Sequence, residues 1–221
     1  MKDGTRYAER LKKACAKLRK SASMAEFPEW SDPVRAMAIG VLGTDFGEER
    51  AERLLDHALA TMVDWNEIRV SNALELSKTI NDSSPGGMDR CRNLIDAIQA
   101  VYDRENVISL ERLKSIGRRE ARHYLETLKG VDEFAVATIV LWSLGGHAIP
   151  VSNRLLAALR RADLVNPTAS RAEVQAFLER NVAASEAKEF CIMMRSLGPS
   201  RLSSNRRSVT RKRKPKRRAA K

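Results

Sequence analysis

The 221-residue chain predicts an all-α fold of about ten helices, and three observations lead to that class. Apolar residues recur three and four positions apart along most of the chain, which is the spacing of a helix with one buried face. Residues that favour helix starts and ends separate these stretches. No stretch of useful length alternates apolar and polar residues as a half-buried strand would.

The helices of the N-terminal half follow from their caps and apolar stripes. The first twenty residues are a charged helical pattern without the apolar core of a signal peptide. The next helix, "SDPVRAMAIGVLG", has Ser31 or Asp32 as its N-cap and Pro33 in its first turn. "EERAERLLDHALATM" has an apolar stripe, and Asp64 and Ser71 are candidate caps of two short helices in "DWNEIRVSNALELSKTI".

The second half begins after "NDSSPGG", which is the clearest internal loop. "MDRCRNLIDAIQAVYD" places its apolar residues on one stripe, and Gly117 separates "SLERLKSI" from "REARHYLETL". The apolar run "EFAVATIVLWSLGG" follows the stretch "LKGVD". Three more helices are predicted beyond it, in "NRLLAALRRAD", "RAEVQAFLER" and "SEAKEFCIMMRSLG".

Composition indicates a globular chain without a membrane span, disulfides or a cofactor. Apolar residues make up 43% and charged residues 31% of the chain, and no apolar run approaches the roughly 18 residues that cross a bilayer. The three cysteines, Cys15, Cys91 and Cys191, are odd in number and far apart, which favours a reducing compartment. Neither they nor the histidines His57 and His123 have metal-ligand spacing. We expect a monomer.

Nearly all of the net charge of +12 lies at the C-terminus. Residues 201–221 contain eleven Lys or Arg and no acid, which leaves 29 basic against 28 acidic residues in 1–200. Such a segment cannot bury apolar surface, so it is predicted to be disordered and to bind phosphates by counterion release. A solubilising tail or a nuclear-type address is the alternative. The predicted DNA contacts in the tail are Arg211, Lys212, Arg213, Lys214, Lys216, Arg217 and Arg218.

The stretch "LKGVDEFAV" predicts a tight hairpin between two helices. Gly130 permits an unusual backbone angle, and a new helix starts directly after it. Free N–H groups at such a start can hold a phosphate, so Leu128, Gly130, Val131 and Asp132 are candidate DNA contacts. The turn alone is weak evidence, because glycine joins many helix pairs.

The wider pattern resembles the helix-hairpin-helix DNA glycosylase superfamily, its endonuclease III-like branch in particular. That family carries L-P-G-V-G-x-K-T-A, an apolar helix, a Gly-containing turn and a V-D-T-H-type segment, which "LKGVDEFAV", "ATIVLWSLGG" and "HAIPVSNRLLAAL" match without a gap over 128–159. "IGVLGTDFGEERAERLL" is similar to the family's early helix, with Thr44 and Asp45 in its Thr-Asp turn. The resemblance covers roughly residues 30–198 and is strongest at the hairpin.

The resemblance implies a bilobal fold with a DNA cleft between the lobes. A central lobe would span residues 30–145 and end in the hairpin, residues 146–200 would form a C-terminal lobe, and the N-terminal helix in 1–29 would pack on that lobe. The family extrudes a damaged base from the duplex, because the target bond cannot be reached inside the stack. An Asp in the V-D-T-H segment assists glycosidic cleavage, and in bifunctional members a hairpin-helix Lys forms a Schiff base.

This chain departs from the family at those positions. Phe134 occupies the Lys position and cannot form an imine, so Schiff-base lyase chemistry there is excluded. Ser152 occupies the Asp position, and its neutral hydroxyl cannot supply a carboxylate. Asp132 replaces the second hairpin glycine, where its charge is expected to oppose a phosphate. No cysteine follows Cys191, so the family's four-cysteine iron–sulfur loop is missing.

The remaining polar candidates each have a structural interpretation that we prefer. Asp132 and Glu133 are possible substitute acids, but first-turn carboxylates usually complement the helix dipole. His147 is a possible base or DNA contact, although no partner is evident. Ser152 is predicted to cap the helix that starts at Asn153.

Leu42 is a further candidate contact, because it stands where the family often inserts a wedge into the duplex. A core leucine is the favoured alternative. Thr44 is also a candidate DNA contact, because it lies in the Thr-Asp turn.

Three functions are compatible with these observations. The first, which we adopt, is a double-stranded DNA-binding protein of the glycosylase superfamily that lacks the usual chemistry. The second is an active monofunctional DNA glycosylase with relocated residues, and the third is a protein-interaction module with a solubilising tail. The expected location is the nucleoid-containing cytoplasm of a bacterium or the nucleus of a eukaryote.

Overall fold

The computed structural model describes residues 3–21 and 30–195, and within these ranges the chain is helical without a β-strand. The predicted all-α class is therefore confirmed. The α-helices are α1 (Gly4–Ser21), α2 (Pro33–Gly43), α3 (Glu48–Thr61), α4 (Trp65–Val70), α5 (Ala73–Thr79), α6 (Gly87–Glu105), α7 (Arg118–Glu126), α8 (Glu133–Trp142), α9 (Asn153–Arg161), α10 (Arg171–Asn181) and α11 (Ala187–Arg195). Two 3-10 helices lie at Glu111–Lys114 and Ala184–Glu186.

Side-chain caps begin several helices as the sequence predicts. Asp32 accepts a hydrogen bond from the Val34 N–H at the start of α2, and Asp64 caps α4. The predicted cap of α5 is wrong by one residue, because Asn72 accepts the Glu75 N–H while Ser71 ends α4. These caps satisfy N–H groups that have no partner within their own helix.

The core is built around α2 and α8, which pack directly against each other. Every residue of α8 from Phe134 to Trp142 is buried, and so is all of α2 except Arg35. A Cβ at Gly40 would lie 2.6 Å from the Ala135 Cα, so glycine is what allows the two backbones to approach. Helices that are apolar on all sides form the centre of a helical core, and these two place the hairpin and the α2–α3 turn beside each other.

The N-terminal helix α1 packs on α11. Arg19 forms ion pairs with Glu186 and Glu189 across this contact, and Arg10 pairs with Asp163 in the segment after α9. The division into lobes at residues 29, 145 and 200 stays a prediction, and the basic tail at 201–221 lies outside the described residues. No helix in the described ranges is long and apolar enough to cross a membrane.

Candidate nucleic-acid interface

The hairpin between α7 and α8 is fixed against α6. Gly130 has a φ of 80°, and a Cβ there would collide with the Asn93 carbonyl oxygen and lie 3.0 Å from the Ala97 nitrogen. Lys129 pairs with Asp96 of the same helix at 3.0 Å. Glycine at this position is therefore required by both the backbone angle and the close approach of α6.

Two of the predicted DNA contacts, Leu128 and Leu42, are core residues. Leu128 is buried in the turn that follows α7, whereas Val131 is half-buried. Leu42 is completely buried in α2 (0% exposed), so its interpretation as a wedge is wrong and the core alternative holds. A leucine without exposed surface cannot enter a duplex unless α2 leaves the core.

Asp132 is engaged within the protein. Its Oδ1 accepts the Ala135 N–H at 2.9 Å and thereby caps α8, while its Oδ2 accepts hydrogen bonds from Thr44 at 3.2 Å and Arg171 at 3.0 Å. Its φ of −98° is available to any residue, so glycine is not needed here. The expectation that this carboxylate opposes a phosphate must be revised, because an arginine from α10 neutralises it and the Thr44 hydroxyl is used to hold it.

Phe134 lies in the core and not on the surface of the hairpin. Its side chain is 1% exposed, and its ring fits beside Gly43, where a Cβ would lie 3.2 Å from the Phe134 Cε1. The ring thus fills space at the junction of α2, α3 and α8. This explains why an aromatic residue stands in the first turn of α8, where the family pattern has a lysine.

Ser152 caps α9, as the sequence predicts. Its buried Oγ accepts the Leu155 N–H at 3.2 Å. The backbone N–H groups of Asn153 and Arg154 donate to the carbonyl oxygens of Thr44 and Asp45, both at 2.9 Å. The start of α9 is therefore satisfied by the Thr44–Asp45 turn that follows α2.

A buried arginine joins this turn to the loop at 81–86. Arg90 pairs with Asp45 and Asp82, each at 2.6 Å, and its guanidinium lies 4.9 Å from the centre of the Phe46 ring. Burial by itself would raise the pKa of Asp82, but hydrogen bonds from Ser84 and Arg90, with the Arg90 charge, outweigh it and lower that pKa. The sequence showed this segment only as a loop, because the two aspartates are far apart along the chain.

A small cleft lies beside Ser152, between the N-terminal end of α3, the start of α9 and α11. Its volume is about 40 Å³. The lining includes polar residues from all three elements and an apolar wall. These residues are Phe46, Gly47, Glu48, Glu49, Pro150, Ser152, Arg154, Leu155, Ala158, Cys191, Met194 and Arg195.

Glu48 and Arg195 form a buried ion pair at this cleft. Glu48 is 6% exposed, and its Oε2 lies 3.5 Å from the Arg195 Nε. The Arg195 guanidinium lies 5.1 Å from the centre of Trp30 and 5.0 Å from that of Trp142, two rings in an edge-to-face contact. Within the described part of the chain, Glu48 Oε1 and Arg195 Nε and Nη2 are buried without a hydrogen-bond partner.

Sequence reasoning missed this pair. Glu48 stands in an acidic first turn, which is a pattern typical of exposed residues that complement the helix dipole. Cys191 lines the same cleft, and burial, with the nearby Glu48 charge, raises the pKa of its thiol. A thiol in this environment is a poor nucleophile.

Several arginines are exposed, and their guanidinium groups have no hydrogen-bonding or ion-pair partner among residues 3–21 and 30–195. Arg118 and Arg119 begin α7, Arg154 lies at the start of α9 and lines the cleft, and Arg161 ends α9. These cations are available to a phosphate backbone, although the sequence did not distinguish them from the paired ones. His147 is exposed.

No group of three or more His, Cys, Asp or Glu side chains in the described residues could hold a metal ion. The three cysteines are free and lie on separate helices, α1, α6 and α11, so these residues do not fit the four-cysteine cluster of the family.

No protein-family model matches the chain, and no curated relative does either. Solved structures do match it. A non-covalent complex of endonuclease III with DNA superposes with a TM-score of 0.66 at 16% identity, over 90% of this chain and 88% of that one. A thermostable thymine-DNA glycosylase gives 0.59 at 14% identity, over 86% and 85% of the two chains.

The H. pylori 3-methyladenine DNA glycosylase bound to 1,N6-ethenoadenine gives a TM-score of 0.58 at 16% identity, over 86% of this chain and 95% of that one. The chain therefore has the helix-hairpin-helix DNA glycosylase fold, and the resemblance inferred from the sequence is confirmed at the level of the fold.

Proposed function

We propose that this protein binds double-stranded DNA, mainly through phosphates, and lacks the Lys- and Asp-dependent chemistry of the glycosylase superfamily. The observation that carries this proposal is that the residues at both reactive positions of the family have structural roles here. Phe134 fills the core and Ser152 caps α9. Neither side chain can attack a sugar or stabilise a developing positive charge.

DNA as the ligand is supported by the neighbours and by charge. Structures with this fold include endonuclease III and an 8-oxoguanine glycosylase/lyase in complexes with DNA. The exposed arginines Arg118, Arg119 and Arg154 offer phosphate contacts. The segment 201–221 adds eleven positive charges, and phosphate contacts of this kind give attraction without reading the sequence.

A salt titration of duplex binding tests this function. If the full chain engages about six phosphates, the slope of log affinity against log salt is about −5, and affinity falls roughly 10³-fold between 50 and 200 mM salt. A chain truncated after Pro199 should lose most of this slope. A full-length control with glutamine at the seven tail positions from Arg211 to Arg218 separates the loss of charge from the loss of length.

The same slope and affinity in all three proteins would contradict the role of the tail. Absence of duplex binding in the full chain would contradict the proposed function itself.

A second candidate function, a monofunctional DNA glycosylase, is favoured by one observation. Glu48 places a buried carboxylate in the cleft next to Ser152, where the family's Asp is missing. Release of a base from a panel of damaged duplexes would establish this alternative if Glu48→Gln abolishes it and Glu75→Gln, at an exposed first-turn glutamate of α5 outside the cleft, retains it.

A further inference from the structure

The N-terminal helix α1 concentrates the positive charge of residues 1–200. Seven of its 18 residues are Lys or Arg, and Glu9 is its one acidic residue. Residues 1–200 contain 29 basic and 28 acidic residues, so without α1 they have 22 basic and 27 acidic residues and a net charge of −5. Such a separation of sign within a nearly neutral body is typical of a surface that attracts an anionic partner.

Two arginines fix α1 on the rest of the protein. Arg10 pairs with Asp163, whose carbonyl oxygen also accepts a hydrogen bond from the Arg10 Nη1 at 3.3 Å. Arg19 pairs with Glu186 at 2.8 Å and with Glu189 at 3.1 Å. These ion pairs hold both halves of the helix and thereby determine which face of α1 is turned outward.

The outward face has a cationic stripe formed by Arg6, Lys13 and Lys17. Their spacing of seven and four residues places them on one side of the helix, and all three are exposed. The side chains of Arg6 and Lys13 have no hydrogen-bonding or ion-pair partner among residues 3–21 and 30–195. Like charges four residues apart repel each other, and a cation in the first turn opposes the helix dipole, so the stripe does not stabilise α1.

α1 and the hairpin join the core at opposite ends of α8. α1 packs on α11, and α11 places the Lys188 Nζ and the Arg195 guanidinium 5.7 and 5.0 Å from the centre of the Trp142 ring. Trp142 ends α8, whereas the hairpin leads into its start at Glu133, about 15 Å away along the helix. A duplex segment bound at the hairpin therefore meets α1 only through its flanking base pairs.

The chemistry of this surface fits phosphates better than a protein or a bilayer. None of the large apolar side chains that are exposed in the described part of the chain lies on α1. Protein interfaces depend on buried aromatic and apolar anchors, and an interfacial membrane helix inserts an apolar face, but the apolar residues of α1 are turned inward. The stripe is about 16 Å long, which matches roughly five successive phosphates of one DNA strand.

We propose that Arg6, Lys13 and Lys17 bind the phosphate backbone of the duplex that flanks the segment at the hairpin. This inference rests on the proposed function, because the flank arrives with the same DNA. Contacts of this kind extend the footprint of the protein and add affinity without reading base edges. The surface is distinct from the hairpin and from the tail at 201–221, since none of the three residues belongs to either.

A double variant of the full-length chain tests the stripe. Arg6→Gln with Lys13→Gln removes two charges and keeps residues that favour a helix, and Arg6→Lys with Lys13→Arg keeps both charges. The matched control, Lys78→Gln with Arg180→Gln, removes the same charge from exposed positions of α5 and α10. Salt titrations of binding use duplexes of about 30 and about 10 base pairs, because the shorter one, about 34 Å long, leaves little flank beyond the hairpin.

On the long duplex, the glutamine variant of α1 should give a salt slope that is shallower by about 1.8, the value for two lost phosphate contacts. On the short duplex, its slope should equal that of the wild type. The charge-preserving variant and the control on α5 and α10 should have the wild-type slope on both duplexes. Thermal unfolding should be the same for all four proteins, because every substituted side chain is exposed.

Three results would overturn the proposal while the wild type binds duplex normally. The first is an unchanged slope of the glutamine variant on the long duplex, or the same change on both lengths. The second is an equal change in the control, which would show that only net charge matters. The third is energy transfer between two separately labelled duplexes that requires Arg6 and Lys13, which would identify a second duplex as the partner. A wild type that binds no duplex would instead refute the proposed function, and this inference with it.

Discussion

The hairpin at residues 128–134 and the cleft at Glu48 and Arg195 differ in whether their polar groups have hydrogen-bond partners within the described protein. In the hairpin, Asp132 accepts hydrogen bonds from three donors and Gly130 lies against α6. In the cleft, an acceptor and two donor atoms are buried without partners among the described residues. The polar groups of the hairpin are therefore satisfied within the fold, whereas those of the cleft are not satisfied by the described residues.

The region that most resembles the family in sequence is therefore not the region that contains unsatisfied polar groups. The sequence resembles the helix-hairpin-helix DNA glycosylases most at the hairpin, yet the residues at the corresponding positions are a core phenylalanine and a capping carboxylate. The cleft has no counterpart in the sequence pattern, yet it contains buried polar atoms without a hydrogen-bond partner among the described residues. Polar groups without a partner are the ones best able to bind a ligand. A side chain that already stabilises the fold can bind a ligand only at a cost in stability.

Replacing Phe134 by lysine is the strongest test of the hairpin as a structural element. The change removes a buried ring and inserts a charge beside Gly43, so it should destabilise the protein by at least the ~3–5 kcal/mol of a buried Phe→Ala change. The measurement is urea unfolding. Glu133→Lys, one residue earlier and exposed, is the control and should cost less than about 1 kcal/mol.

The same samples test for a Schiff base. The wild type should give no borohydride-trapped adduct with abasic-site DNA through residues 128–153, because this segment presents no reactive amine other than Lys129, which is paired with Asp96. A stable Phe134→Lys protein, or a trapped adduct of the wild type mapped to this segment, would show that the hairpin is not the closed structural unit described above.

Gly130→Ala tests the contact of the hairpin with α6 and should have the next largest effect. The left-handed backbone costs about 1–2 kcal/mol, and the collision of the new methyl group with α6 adds about 1–3 kcal/mol. Gly117→Ala is the matched control, because its φ is −61° and no atom lies within 4 Å of the new Cβ. Equal stabilities of the two variants in urea would mean that the turn moves freely on α6.

The helix caps could be predicted from the sequence because they depend on local hydrogen bonds. The caps Asp32, Asp64 and Ser152 depend on hydrogen bonds to residues two or three positions away, and these are visible in the sequence. The misassignment of Ser71 arose from the same rule, since Asn72 beside it is an equally good cap.

Long-range contacts explain what was missed. Glu48 meets Arg195, which lies 147 residues further along the chain, and Asp132 meets Arg171 of α10, so no spacing reveals either pair. Leu42 is a candidate wedge only because it stands where the family often inserts one, but α2 is buried along its length except at Arg35. Which face of a helix is covered depends on its neighbours, and a helical period alone does not identify them.

Asp132→Gly in the chain truncated after Pro199 is expected to have the smallest effect. It tests directly whether the ion pair with Asp132 keeps Arg171 from binding DNA. Loss of the cap to glycine costs only a few tenths of a kcal/mol, so the hairpin should persist. The change frees Arg171 from its ion pair and removes a negative charge beside the turn. We expect a few-fold gain in duplex affinity and a salt slope steeper by about 0.9, the value for one additional phosphate contact.

Two controls show whether the freed arginine is the cause. Asp132→Asn removes the charge but keeps a capping oxygen, so it should give the same gain in affinity with less loss of stability. Adding Arg171→Ala to Asp132→Gly should cancel the gain, because no cation is then released. If Asp132→Gly instead weakens binding, the network of Thr44, Asp132 and Arg171 holds the hairpin in a binding geometry, and the carboxylate that replaces the family's glycine assists DNA binding by positioning the turn.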